Sequence, residues 1–136
     1  LKLGAYKVIV GSSWEDLGAH ACTLDLLINT VSAPMALDPY LSLLDLNGTM
    51  VLLGGPAGSH EAPSAWVLEG QRRSLAGSSM AGIAETQELL DFCAEHGVTC
   101  DIELIDSKDL NTAFDRLERG DVKFRFVADM RNVADA

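Results

Sequence analysis

The run TMVLLGG, residues 49–55, constrains this chain more than any other stretch. Four apolar residues follow one another and stop at two glycines. A strand with one wet face alternates apolar and polar side chains, whereas an unbroken apolar strand belongs in a parallel sheet covered on both faces. LDLLINTV (24–31) reads the same way, YKVIV (6–10) is a shorter apolar strand, and RRSLAGS (72–78) is a fourth that ends in Gly-Ser. Helical patterns separate them. SSWEDLGAHA (12–21) offers a serine cap and places Trp14, Leu17 and Ala21 at helical spacing. Asp38-Pro39 sets a second helix start, because proline at the first helical position loses no needed N–H; Leu41 and Leu44 face inward and Gly48 closes the segment. Strand and helix in alternation mean an α/β doubly wound sheet.

The remainder continues the pattern. AETQELLDFCAEHG (84–97) is an amphipathic helix stopped by Gly97, with Glu85 and Glu88 early in it, where the helix dipole favours acids. DIELI (101–105) is a strand. SKDLNTAFDRLERG (107–120) is the clearest helix, with Leu110, Ala113, Phe114 and Leu117 at i, i+3, i+4 and i+7 and Gly120 at its end. KFRFVADM (123–130) alternates as a half-buried last strand. There are no internal repeats and no low-complexity linker. With 136 residues, 48% apolar and 22% charged, the composition is that of a globular chain with a core of its own.

Several classes of function fall away. A net charge of -10 opposes nucleic-acid binding, and Arg72-Arg73 is the only tight basic cluster. The apolar runs are far short of the roughly 18–20 residues that cross a bilayer. Three cysteines, an odd count without framework spacing, fit a reducing, cytoplasmic setting. Cys93, His96 and Cys100 are spaced unlike any standard zinc pattern and would supply only three ligands, so no metal site is expected. His20, His60 and His96 are scattered, and no nucleophile stands beside a base; no catalytic residue is assigned.

What remains is the set of strand ends. In doubly wound sheets ligands sit beyond the carboxyl ends of the strands. Here those ends are Asn29-Thr30-Val31, Leu53-Gly54-Gly55 and Ala76-Gly77-Ser78-Ser79. Glycine there lets a flat ligand approach the main chain, but glycine and serine are equally the residues of ordinary βα turns, and the pattern leaves both readings open. A G-x-G-x-x-G pyrophosphate cradle is absent: no two glycines are separated by a single residue.

RRSLAGSSMAGIAETQELLDFCAEHG followed by NTAFDRLERGDVKFRFVADM resembles the zinc-containing medium-chain alcohol dehydrogenases, in the branch of cinnamyl and sinapyl alcohol dehydrogenases and related bacterial aldehyde reductases. LGA, LDLLINTVSA and YLSLLDLNGTMVLLG stand in the expected order, so the resemblance covers essentially the whole chain. It implies a partial Rossmann sheet, strands three to six, over residues 1–98. Residues 99–136 would be the strand–helix–strand that returns to the catalytic domain. It further implies NADP(H) as cofactor, an alcohol or aldehyde as substrate, and zinc held by upstream segments of a longer parent. Thr30 and Gly54 match positions near the nicotinamide, and Ser78, Ser79 and Met80 match the stretch after strand six that contacts the cofactor. Lys123 falls where relatives often place an arginine; a solvated strand lysine is the simpler reading.

Four further expectations follow. LKLGAYKV opens like a helix end running into a strand, so the natural N-terminus is expected upstream. YKVIV would lack its neighbour, strands one and two being absent: either the missing part is present elsewhere and not in this chain, or YKVIV moves beside LDLLINT through a right-handed crossover. AWVLEG (65–70) resembles the edge strand through which the family forms homodimers; Trp66 is an interface anchor or a core-packing residue. These residues alone should bind NADP(H) very weakly or not at all and should not turn over substrate, and a non-catalytic nucleotide-binding or association module is the second reading.

Overall fold

The computed structural model describes residues 4–11 and 14–131. The possible helix end at the start of LKLGAYKV and the serine cap at 12–13 lie outside the described residues. By contacts the chain forms two compact units, Leu1–Met80 and Ala81–Ala136. Helix 84–97 therefore groups with the residues that follow it.

In the first unit, α1 (Trp14–Gly18), β1 (Leu24–Asn29), α2 (Asp38–Leu41), β2 (Leu44–Leu52), α3 (Ala65–Glu69) and β3 (Ser74–Gly77) follow in order. The three strands lie side by side as β1-β2-β3, all parallel. Asn29 pairs with Leu52 and Leu52 with Gly77, so the three carboxyl ends finish level. Leu37, Leu41, Leu44 and Met50 form the core, and Leu27, Met35, Val67 and Leu68 pack against it. Leu41, Leu44 and Met50 are fully shielded from water. At roughly 1.5–3 kcal/mol for each large apolar side chain, this cluster is the main force holding the unit together.

Three local expectations are corrected. Residues 6–10 form no strand: Tyr6, Val8 and Val10 are exposed and β1 pairs with β2 alone, so the proposed move of YKVIV beside LDLLINT does not occur. A strand needs a ladder to satisfy its backbone, and apolar side chains alone do not supply one. The helix begun by Asp38-Pro39 lasts one turn instead of reaching Gly48. Leu44 already pairs with Leu24, and a register irregularity follows around Asn47, which has φ +64°. Residues 65–69 are helix α3, so the edge strand expected through AWVLEG is not there. Ser64 N–H donates to the Asp38 carboxylate at 2.9 Å and fixes the start of α3 against α2.

The residue that ties this unit together is Arg73. Its guanidinium donates to the Leu44 carbonyl at 2.8 Å, to Val67 O at 2.7 Å and to Ser42 O at 3.4 Å, and it meets Cys22 Sγ at 3.4 Å. One fork thus satisfies carbonyls at the ends of α2 and β2 and within α3, with geometry a lysine lacks.

The second unit holds α4 (Ile83–Glu95), β4 (Glu103–Asp106), a short 3-10 turn (Ser107–Asp109), α5 (Leu110–Glu118) and β5 (Phe126–Asp129). Glu85 accepts from Gly82 N–H at 2.9 Å at the start of α4. Gly97 and Gly120, at φ +63° and +69°, end the two helices with the bonds Val98 N–H to Cys93 O and Asp121 N–H to Arg116 O. β4 and β5 pair in parallel, and the final strand is shorter than the run 123–130. Arg116 of α5 bonds Glu103 and Asp121 and lies 4.8 Å from the centre of the Phe126 ring.

Candidate functional site

The level ends of β1, β2 and β3 gather three of the expected residues. Leu53 and Gly54 N–H both donate to the Asn29 carbonyl, at 2.9 and 3.0 Å. Ser78 N–H donates to Leu52 O at 3.0 Å and carries the ladder one residue past β3. Thr30, Gly54 and Ser78 therefore stand on neighbouring strand tips at one end of the sheet. Ser79 and Met80 continue outward; Met80 is 96% exposed.

Gly54 and the glycines beside it differ in what they permit. A Cβ on Gly54 would overlap the Val31 carbonyl oxygen and lie 2.6 Å from its carbon and 2.8 Å from Thr30 C. Glycine is required there because the tip of β1 presses against it. The closeness expected between Gly54 and a ligand is thus spent on the neighbouring strand. Gly55 and Gly77, by contrast, have nothing within 4 Å of the Cβ position, so the open main chain at this end belongs to them. Their role was hidden in the sequence, where all glycines of a βα turn look alike.

The residue that organises these tips is Asn29, 5% exposed and the one buried polar residue among the described residues. Its Oδ1 accepts from Val31 N–H at 2.9 Å. A lone amide at the end of an apolar run was the available signal for it.

A groove of about 340 Å³ lies in the second unit, lined by Leu110, Phe114, Leu117, Phe124 and Phe126. It holds the apolar stripe expected of α5, of which only Ala113 is buried. Convergent polar groups, which orient a small ligand, are lacking apart from Arg125. The pKa shifts also fall in this unit. A backbone N–H bond from Lys108 holds the Asp106 carboxyl below its usual range, and Arg131 does the same for Asp129 through side-chain hydrogen bonds.

No family model matches the chain. Curated relatives do. Over 133 residues it is 47% identical to aldehyde reductase YahK of Escherichia coli, covering 98% of this chain and 38% of the relative. Over 130 residues it is 55% identical to NADP-dependent alcohol dehydrogenase C of Mycobacterium bovis, covering 96% and 37%. The solved cinnamyl alcohol dehydrogenase of Sorghum bicolor superposes with a TM-score of 0.88 at 41% identity, over 99% of this chain and 37% of that one. Across nearly its whole length the chain is similar to cinnamyl alcohol dehydrogenases and related alcohol dehydrogenases. It spans a little over a third of the length of these relatives.

Zinc is an expectation of the resemblance alone: among the described residues no group of three or more His, Cys, Asp or Glu side chains could hold a metal ion. The cofactor end fits better. At the level strand tips, the main chain of Gly55 and Gly77 is open, with nothing within 4 Å of either Cβ position, close in sequence to Gly54 and Ser78. Among the described residues no helix is long and apolar enough to cross a membrane.

Proposed function

We propose that this chain is the nicotinamide-facing part of an NADP(H)-dependent alcohol dehydrogenase that interconverts an aldehyde and an alcohol, of the cinnamyl or sinapyl type. The observation that carries the reading is the level arrangement of Thr30, Gly54 and Ser78 on adjacent parallel strands. The name of the Mycobacterium bovis relative supports NADP, and the names of the relatives support an alcohol or aldehyde as substrate. When bound, the cofactor supplies hydride to the carbonyl carbon. This chain's contribution is positional. Thr30 and the Gly54–Gly55 turn, through the open main chain of Gly55, hold one side of the ring, Ser78, Ser79 and Met80 flank the other, and Met80 shields it from water. In this reading residues 1–98 belong to the cofactor domain and 99–136 to the returning segment of the catalytic domain.

The proton relay, the zinc ligands and the pyrophosphate cradle would come from other parts of the parent, so this chain alone binds NADPH weakly and does not turn over. Self-association through the surface around Trp66, whose side chain is 82% exposed on α3, belongs to the same reading. The test is an NADPH titration followed by nicotinamide fluorescence, with NADPH oxidation monitored after adding cinnamaldehyde. The reading expects affinity weaker than micromolar and no oxidation. Micromolar binding or turnover by these residues alone would refute the division of labour.

A further inference from the structure

We infer that Asn29 is a positioning residue of the nicotinamide wall, setting the spacing and direction of the main-chain groups at Thr30–Val31 and Gly54. The inference rests on the nicotinamide reading given above. Three features of one residue carry it. First, Asn29 is buried at the carboxyl end of β1, directly after the apolar run Leu26, Leu27 and Ile28. A polar group in that place has to be matched by partners. Second, its side chain is oriented. Oδ1 accepts from Val31 N–H at 2.9 Å, and Nδ2 meets Met35 Sδ at 3.6 Å. The flipped amide would set two N–H groups against each other, so the acceptor role toward Val31 is fixed. That bond closes a tight turn over Thr30. Third, the Asn29 carbonyl takes both Leu53 and Gly54 N–H. The same residue therefore turns Thr30 on one strand and anchors the glycine on the next.

The contact between the two tips leaves almost no slack. Gly54 has no room even for a methyl group against Val31 and Thr30. If the turn held by Oδ1 opens, the Val31 carbonyl moves relative to Gly54, and the wall loses its shape while the core around Leu41, Leu44 and Met50 stays packed. Asn29 touches no cofactor in this account; it acts through its neighbours.

Reduced nicotinamide mononucleotide is the probe, because it carries the ring without needing a pyrophosphate cradle. Its affinity is read by saturation transfer to the ring protons, with thermal melting of each variant measured in parallel. Asn29→Leu preserves size but removes the acceptor; Asn29→Ser and Asn29→Asp each keep an oxygen within reach of Val31 N–H. The expected result is about tenfold weaker binding for Asn29→Leu, the worth of one positioning bond of about 1.4 kcal/mol. Asn29→Ser and Asn29→Asp stay within about threefold of the parent chain. Asn29→Asp should nonetheless melt lowest, since it buries a carboxylate with no cation beside it. Binding and stability then rank the variants differently, which a purely structural role does not produce.

If all three variants lose affinity in the order of their melting temperatures, or Asn29→Leu binds like the parent, the positioning role is wrong. If the parent chain itself shows no saturation transfer, the nicotinamide reading fails and the inference falls with it. Should Asn29→Leu fail to fold, Asn29→Ser decides: loss of binding from a folded Asn29→Ser refutes the role.

Discussion

Gly54→Ala is the substitution for which the structure sets the firmest magnitude. The new Cβ would stand 2.6 Å from Val31 C and 2.8 Å from Thr30 C, against ordinary contact at 3.4–4 Å. The obstacle is main chain on a paired strand, so relief requires the tips of β1 and β2 to part by about 1 Å. Overpacking of this kind costs about 1–3 kcal/mol. Weakening the Gly54 N–H bond to Asn29 adds about 1 kcal/mol. For a unit of this size about 1 kcal/mol shifts the melting temperature by roughly 4–8 °C, so a fall on the order of 10–25 °C is expected. Trp14 and Trp66 both lie in the first unit, so intrinsic fluorescence follows its unfolding directly. Gly55→Ala is the control: its Cβ meets open space and its stability should stay within about 0.5 kcal/mol of the parent. A Gly54→Ala chain melting within about 3 °C of the parent would show that the tips are not pressed together as described.

Other outcomes follow from the same structure. Arg73→Met should cost about 3 kcal/mol in urea unfolding, because the two short bonds to Leu44 O and Val67 O are charge-assisted. Arg73→Lys should recover less than half of that, and equal stability of all three chains would remove Arg73 from its bracing role. Gly77→Ala should leave melting unchanged yet weaken nicotinamide binding, since its Cβ would occupy the space assigned to the ligand. The Asp106 and Asp129 carboxyls sit below the ordinary value of 3.8 in the folded chain, so the stability they contribute is fully present above that pH. It drains away as acid titrates them from about 4 downward, and Asp129→Asn should flatten that part of the acid-unfolding profile of the second unit. Sedimentation of Trp66→Ala against the parent chain tests self-association: the parent should form dimers that the variant does not, and a monomeric parent at high concentration removes the interface.

The sheet was legible because unbroken apolar runs leave few alternatives. LDLLIN, TMVL and SLAG became parallel neighbours in the expected order, and Gly97 and Gly120 stopped their helices as glycine at a left-handed position does. YKVIV misled because its composition is that of a strand while, among the described residues, no strand pairs with it to complete a ladder. AWVLEG misled because five apolar and small residues fit a helical turn as readily as an edge, and Asp38 anchors the start of that turn from 26 positions away. At the site, the strand-end position of Thr30, Gly54 and Ser78 could be read in advance. The reason Gly54 must be glycine could not, since it lies in the backbone of another strand. Nor could the placement of Asn29, whose meaning comes from its burial and from the two N–H groups its carbonyl accepts.

The central claim is that the three strand tips form one wall for a nicotinamide ring. Amide chemical-shift mapping of the isotope-labelled chain with millimolar NADPH tests it most directly. The account predicts weak, saturable shifts confined to Thr30–Val31, Gly54–Gly55 and Gly77–Met80. Shifts centred on the apolar groove of the second unit, or none at any of the three tips, would contradict it.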